Sequence, residues 1–245
     1  MSGESSPSCD RLVERLSQLK SLGPIRSVNE RSSAASDTLF VALGENRQAG
    51  KKSTIDGYRI TVHRLKGTAH SYRTNLFAAV PDWGNSFVSS SAEFMEVVNR
   101  ANNQHGSLYC TVDAARPNSR GLILRVDAAN DSLTEYMVKL DVESSLVNWG
   151  FKRLTNRLHS TCPDTLSVFS SKHLINGIPH FRYERVIVNK GVRLDRFLTL
   201  IRKGVITIDH LIEHRNGRVC EKGPLFKISP DNYGLLYSNS YLIEI

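Results

Sequence analysis

Apolar residues recur along the chain with two periods. Leu12, Val13, Leu16 and Leu19 follow helical spacing, and with Ser8 as cap and Gly23-Pro24 as stop they predict a helix from Ser8 to Leu22. A second helix, about Ala34 to Leu43, carries Leu39, Phe40 and Leu43 and ends at Gly44. Tyr58, Ile60 and Val62 then alternate with Arg59, Thr61 and His63, the period of a strand over 58–64. Another strand is expected over 73–80, turned by Pro81-Asp82-Trp83-Gly84. Ser90 and Glu93 have capping-box spacing and open a helix to about Asn102. Alternating runs at 108–112, 121–126 and 135–140 predict an antiparallel series appended to a mixed sheet. A helix over 144–158 is expected to bury Leu146, Val147, Phe151, Leu154 and Leu158 and to expose Lys152, Arg153 and Arg157. Strands at 165–170 and 181–188, a helix at 193–203 and a strand at 205–212 follow.

The residues around the first long strand bring in chemistry. On a strand, side chains two apart share a face, so Thr61 and His63 point the same way, near Asp56 at the strand's mouth. Read alone, Asp56-Gly57 is a common turn pair and His63 a half-buried strand histidine. A further motif, His210-Leu211-Ile212-Glu213-His214, matches the His-x-x-Glu-His of zinc proteases, which requires a helix. Here Ile206, Ile208, His210 and Ile212 alternate with Thr207, Asp209, Leu211 and Glu213. A strand would hold the two histidines about 13 Å apart, too far to share one ion.

Charge narrows the partners. The 245 residues hold 32 Lys+Arg against 24 Asp+Glu, a net +8 with a pI near 9.4, and point to a polyanion. Residues 51–73 contain Lys51, Lys52, Arg59, Arg64, Lys66 and Arg73 against the single acid Asp56, a local +5. With 40% hydrophobic and 23% charged residues and no Pro- or Gly/Ser-rich linker, one domain over 1–245 is expected, with disorder only in residues 1–8. Cys9, Cys110, Cys162 and Cys220 form no Cys-x-x-Cys pair and read as reduced thiols. No apolar leader and no run of about 20 apolar residues occurs, so a cytoplasmic protein without membrane partners is expected.

Asp56-x4-Thr61-x-His63 resembles the Asp-x4-Glu-x-Lys signature of the MvaI/BcnI restriction endonuclease family, which a helical Glu precedes fourteen residues upstream, at Ala42 in this chain. Thr74-Asn75-Leu76-Phe77 is similar to the family's Leu-Thr-Leu-Phe strand, and Cys220-Glu221-Lys222-Gly223-Pro224-Leu225-Phe226-Lys227-Ile228 to its His-Asp-Arg-Gly-Pro-His-Leu-Arg-Ile. Order and spacing agree from about Arg31 to Ile228. The resemblance implies an α/β restriction-endonuclease-like fold of the MutH type, a mixed β-sheet flanked by helices, and a monomer that binds double-stranded DNA.

In such nucleases carboxylates hold Mg²⁺ and a Lys meets the developing negative charge. Here Asp56 alone survives as a metal ligand, while Thr61 and His63 stand at residual catalytic positions. The expectation is therefore a degenerate nuclease centre that needs no cofactor and binds duplex DNA in a cleft between the Asp56 strand and the 220–228 segment. The alternative is an active Mg²⁺-dependent type II endonuclease cutting short CC/GG-rich sites. A protein-interaction domain is a third reading.

For DNA contacts the sequence nominates Arg59, Arg64, Lys66 and Arg73 near the centre, and His214, Arg215 and Arg218 around Asn216-Gly217 for phosphates. Glu221 and Lys222 resemble an Asp and a basic residue that reach base edges in the family, Lys227 follows in place of an Arg, and Asp209 falls on a family acidic position; Glu accepts from cytosine N4 and Lys donates to guanine N7 and O6. A Lys cannot form the two-pronged Arg fork.

Overall fold

The computed structural model describes residues 7–45, 54–65, 73–215, 218–221 and 223–245; of Pro7, Ser8 and Arg215 it gives only the backbone. The elements run α1 (Pro7–Ser21), β1 (Ile25–Arg26), α2 (Ala34–Ala42), β2 (Thr54–Ile55), β3 (Tyr58–Arg64), β4 (Thr74–Ala78), α3 (Ser91–Ala101), β5 (Leu108–Val112), β6 (Leu122–Asp127) and β7 (Ser132–Lys139). They continue with β8 (Val142–Gly150), α4 (Phe151–Thr161), β9 (Thr165–Ile175), β10 (Ile178–Val192), α5 (Leu194–Arg202), β11 (Ile206–Arg215), β12 (Arg218–Glu221), β13 (Leu225–Ile228) and β14 (Tyr237–Glu244). The result is a mixed α/β fold in two compact units, 1–71 with 163–192 and 237–245, and 72–162 with 193–236. No helix of the described residues is long and apolar enough to cross a membrane.

The first unit is built on one sheet, ordered β1-β10-β9-β3-β2, with β14 along the second half of β10. β3 and β9 run parallel; the other pairs are antiparallel. Tyr58, Ile60, Leu166, Val168, Val186 and Val188 face α1 and α2, where Leu12, Leu16 and Leu39 are wholly buried. Each such leucine contributes roughly 1.5–3 kcal/mol by leaving water. A bulge between Tyr183 and Arg185 changes which residues of β10 face the helices. Before it, Phe181 and Tyr183 join that core, and Tyr183 donates its hydroxyl to the Ala35 carbonyl at 2.8 Å. After it, Val186 and Val188 do, which puts Arg185, Ile187 and Asn189 on the opposite face.

The second unit holds two sheets. β11 is central in the first: β5 lies along one edge, and β13 followed by β12 along the other, with β4 outside β13. The second is the meander β6-β7-β8. Phe77, Phe197 and Phe226 stack with centroids 4.9–5.7 Å apart, and Trp149 meets Phe226 edge-on at 5.8 Å. The Trp149 indole donates to the Ala79 carbonyl at 2.8 Å, so its one polar atom is satisfied inside the core. Gly121 turns the chain into β6 at φ +78; a Cβ there would lie 2.6 Å from the Val138 carbonyl oxygen, which excludes every other residue.

Two expectations are corrected. Residues 144–150 belong to β8, and the helix begins only at Phe151. Pairing with β7 across the tight turn Leu140-Asp141, both at positive φ, wins over the local helical spacing, and β-branched Val142 and Val147 with Ser144-Ser145 suit a strand. The runs at 122–127 and 132–139 also do not extend the mixed sheet; with β8 they form a sheet of their own, while 108–112 joins β11.

Candidate nucleic-acid interface

In the first unit, β2 and β3 form a hairpin whose two turn residues are Asp56 at φ +51 and Gly57 at φ +85. Left-handed backbone at both positions makes a tight turn matched to strand twist, which explains the Asp-Gly pair by itself. Asp56 is exposed there. Thr61 and His63 do share a face of β3, the one turned away from α1 and α2. The Thr61 hydroxyl lies 3.2 Å from Ser167 Oγ and 3.5 Å from the Leu166 carbonyl. Beyond it, Asn189 donates to Thr165 Oγ1 at 3.0 Å and accepts from Ser240 at 2.7 Å, so hydroxyls and an amide occupy this face.

One row further along, three strands bring His63, Phe169 and Arg185 into register. The His63 ring lies 5.3 Å from the Phe169 ring, and the Arg185 guanidinium carbon 4.5 Å from its centroid. The first is a tilted ring contact and the second a cation–π contact, so Phe169 carries an imidazole and a guanidinium side by side. Sequence reasoning missed Arg185, because the bulge decides which way it points. Arg59 sits on the same face as Thr61 and His63. Arg64 does not: it faces the helices, donating to the Ser32 carbonyl at 2.9 Å and lying 5.7 Å over Phe181.

No three His, Cys, Asp or Glu side chains among the described residues are placed to hold a metal. Of those types the remaining residues contain only Glu4 and His70. Ala42 packs against the core at the end of α2. Asp56, Thr61 and His63 offer one carboxylate, one hydroxyl and one imidazole, whereas Mg²⁺ sites draw on one or two carboxylates together with water.

The second unit gathers a different set. Arg73 grips the Asp209 carboxylate with both prongs, Nη1 to Oδ1 at 2.8 Å and Nη2 to Oδ2 at 3.2 Å, and also donates to the Thr207 hydroxyl. Lys227 Nζ reaches Asp209 Oδ2 at 2.7 Å, and Thr111 donates to Oδ1 at 2.7 Å. Strand register explains the cluster: Thr207 lies opposite Lys227, and Asp209 opposite Thr111. Burial acts to raise the Asp209 pKa, but the bonds from Lys227, Thr111 and Arg73 outweigh it and hold the carboxyl below its ordinary value. Three residues nominated singly thus form one network of two cations and one anion. Asp209 positions Arg73 and Lys227 and has little acceptor capacity left for a base edge.

Glu221, at the end of β12, accepts from the Ser91 hydroxyl in the first turn of α3, where a carboxylate is favoured by the helix dipole. His214 and Arg218 are exposed on β11 and β12, with Arg218 in register with Arg215. Lys66 and Lys222 lie outside the described residues. The basic residues of α4 are committed in part: Arg157 donates to the Ala78 carbonyl at 2.7 and 3.1 Å, pinning the end of β4.

The His-x-x-Glu-His segment is a strand, and its two histidines differ: His214 is exposed and His210 buried. His210 Nε2 meets Glu135 Oε2 at 2.9 Å, and its ring lies 4.7 Å from Phe94. This pair was not anticipated; its only trace in the sequence is one histidine in the apolar stripe Ile206, Ile208, Ile212. The four cysteines are free thiols. Burial first, then the charge of Glu135, pushes the Cys110 thiol up to about 12, so it is no nucleophile at neutral pH.

Against known proteins, no curated protein matches the chain. Among solved structures, the chain is similar to "Restriction endonuclease MvaI-cognate DNA substrate complex", with a TM-score of 0.64, 15% identity, and 98% of this chain and 99% of that one covered. It is likewise similar to "Restriction endonuclease MvaI in the absence of DNA", with a TM-score of 0.63, 17% identity and the same coverage. These likenesses establish the fold. A family profile matches residues 13–237, and on that match the chain belongs to the MvaI/BcnI restriction endonuclease family.

Proposed function

We propose that the protein binds double-stranded DNA and that its nuclease centre has exchanged metal ligands for side-chain cations, so that affinity is kept and metal-dependent cleavage is lost. The observation that carries this reading is the row His63, Phe169, Arg185, which sets a guanidinium and an imidazole on one aromatic ring beside Thr61. A divalent ion is repelled by such a site, whereas a phosphate is attracted. Support comes from the net charge of +8, and from the MvaI structure solved with its cognate DNA substrate, which has the same fold.

In the second unit, Arg73 and Lys227 are held by Asp209 in fixed orientation, the condition for reading base edges or setting register on the backbone. Lys222 and Glu221, on the segment resembling the family's recognition residues, complete the proposed contacts there. The protein acts as a monomer in this reading.

Binding that does not depend on a metal ion is the test. Fluorescence anisotropy with a labelled duplex in low salt and EDTA should give a saturable rise that does not require Mg²⁺. Binding that appears only with Mg²⁺ would favour the active-endonuclease reading, and no binding under either condition would leave an interaction domain.

A further inference from the structure

We infer that Arg185, seated on Phe169 beside His63, forms a binding site for one backbone phosphodiester of the DNA, with the guanidinium edge as the donor. This rests on the duplex-binding reading above and adds a specific site to it. Three observations support it. First, the site is built by register and not by chance contact: His63, Phe169 and Arg185 lie opposite one another on adjacent strands, and the β10 bulge is what turns Arg185 to this face. Second, the guanidinium lies 4.5 Å over the aromatic centroid, so one flat side is covered and its N–H edges remain as donors in the plane. Third, Arg185 Nε is buried and hydrogen-bonds to no acceptor among the described residues.

A buried unpaired donor is unfavourable, and native structures retain few without a reason. Nearby acids do not supply one. Glu184, the bulged residue, takes the Ser171 hydroxyl, and Glu244, opposite Arg185 on the edge strand β14, is exposed and leaves Nε without a bond. A phosphodiester offers two anionic oxygens with the spacing of the guanidinium edge. Arg59 on the same face, two rows away, is placed for the adjoining stretch of backbone.

The probe is a labelled 20-base-pair duplex titrated with the full chain at several salt concentrations, for wild type, Arg185→Ala and Arg185→Lys. Arg185→Ala should weaken binding about tenfold and lower the slope of log affinity against log salt by about one. Arg185→Lys should restore the slope, because the charge returns, but not the full affinity, because the planar fork does not. Unlabelled inorganic phosphate at matched ionic strength should compete weakly.

Wild-type affinity and slope in Arg185→Ala would overturn the site while leaving the duplex-binding reading intact. Should that variant fail to fold, full affinity in Arg185→Lys would overturn it equally. Strong competition by inorganic phosphate would replace the phosphodiester by a free phosphate and so also contradict the proposal. Absence of duplex binding by the wild type would remove both readings together.

Discussion

Raising monovalent salt from 50 to 200 mM should weaken duplex binding about a thousandfold, on the basis of roughly six phosphate contacts and a slope of about 0.9 per contact. The cations proposed to make them are Arg59 and Arg185 on one face of the first sheet and Arg218 on β12, together with Lys66, Arg215 and Lys222, which the sequence nominates. Arg73 and Lys227 add less than their number suggests, because Asp209 already neutralises one of their two charges. Arg64 adds little, being held against Phe181 and the Ser32 carbonyl. Anisotropy titrations at four or more salt concentrations measure the slope directly. A fall of less than about tenfold over this range corresponds to two or fewer contacts and would contradict a cationic DNA-binding surface.

The second large effect lies in the core of the second unit. Glu135→Ala should destabilise that unit by about 3–5 kcal/mol, because it removes the carboxylate partner of a buried histidine whose pKa that carboxylate raises. Both side chains are essentially inaccessible, 0% for Glu135 and 2% for His210, and the rings of His210 and Phe94 are packed together. Burial alone would push the His210 pKa down; the charge of Glu135 and the hydrogen bond His210 Nε2 donates to it more than reverse this, and the pKa is raised.

The sign of the pH dependence follows. A group whose folded pKa is raised contributes stability that is fully present below its ordinary value, near 6.5, and is lost as pH rises through the folded value. Melting temperature should therefore decline from neutral to alkaline pH in the wild type, and Glu135→Gln should flatten that decline. Trp83 and Trp149 both lie in the second unit, so tryptophan fluorescence follows its unfolding. A Glu135→Ala protein that melts within a degree of the wild type at neutral pH would show the pair to be energetically idle.

What the sequence made legible was whatever depended on local pattern. The alternation in Tyr58 to His63 gave β3 and its two faces, and Ser90 with Glu93 gave the start of α3, where Ser90 Oγ accepts from the Glu93 amide at 3.2 Å. The reciprocal bond goes one residue further back: Glu93 accepts from the Ser89 amide at 2.7 Å. β8 was read as helix because Leu146, Val147, Phe151 and Leu154 have a helical spacing that spans a strand–helix junction at Gly150, and only pairing with β7 separates the two. β14 was missed because Ser238-Asn239-Ser240 interrupts any apolar alternation; its strand state comes from β10 alongside it.

The spacing from Asp56 to His63 read as a turn and a strand, and the structure has Asp56 in the β2–β3 turn and Thr61 and His63 on β3. Spacing could not locate Arg185. By parity from Phe181 and Tyr183, that residue belongs to the buried face, and the extra residue Glu184 in the bulge reverses the assignment. The Arg73, Asp209 and Lys227 network was similarly hidden: residues 73, 209 and 227 meet only through the pairing of β5, β11 and β13.

Exchange of metal ligands for cations is the central claim, and incubation of the purified protein with plasmid in Mg²⁺, and separately in Mn²⁺, tests it most directly, with methylated and unmethylated plasmid side by side. The plasmid should remain supercoiled in every lane while being retarded as a protein complex at low salt. Discrete linear fragments that appear with either ion and vanish in Asp56→Ala would contradict the account, since they would require a working carboxylate–metal centre at the β2–β3 turn.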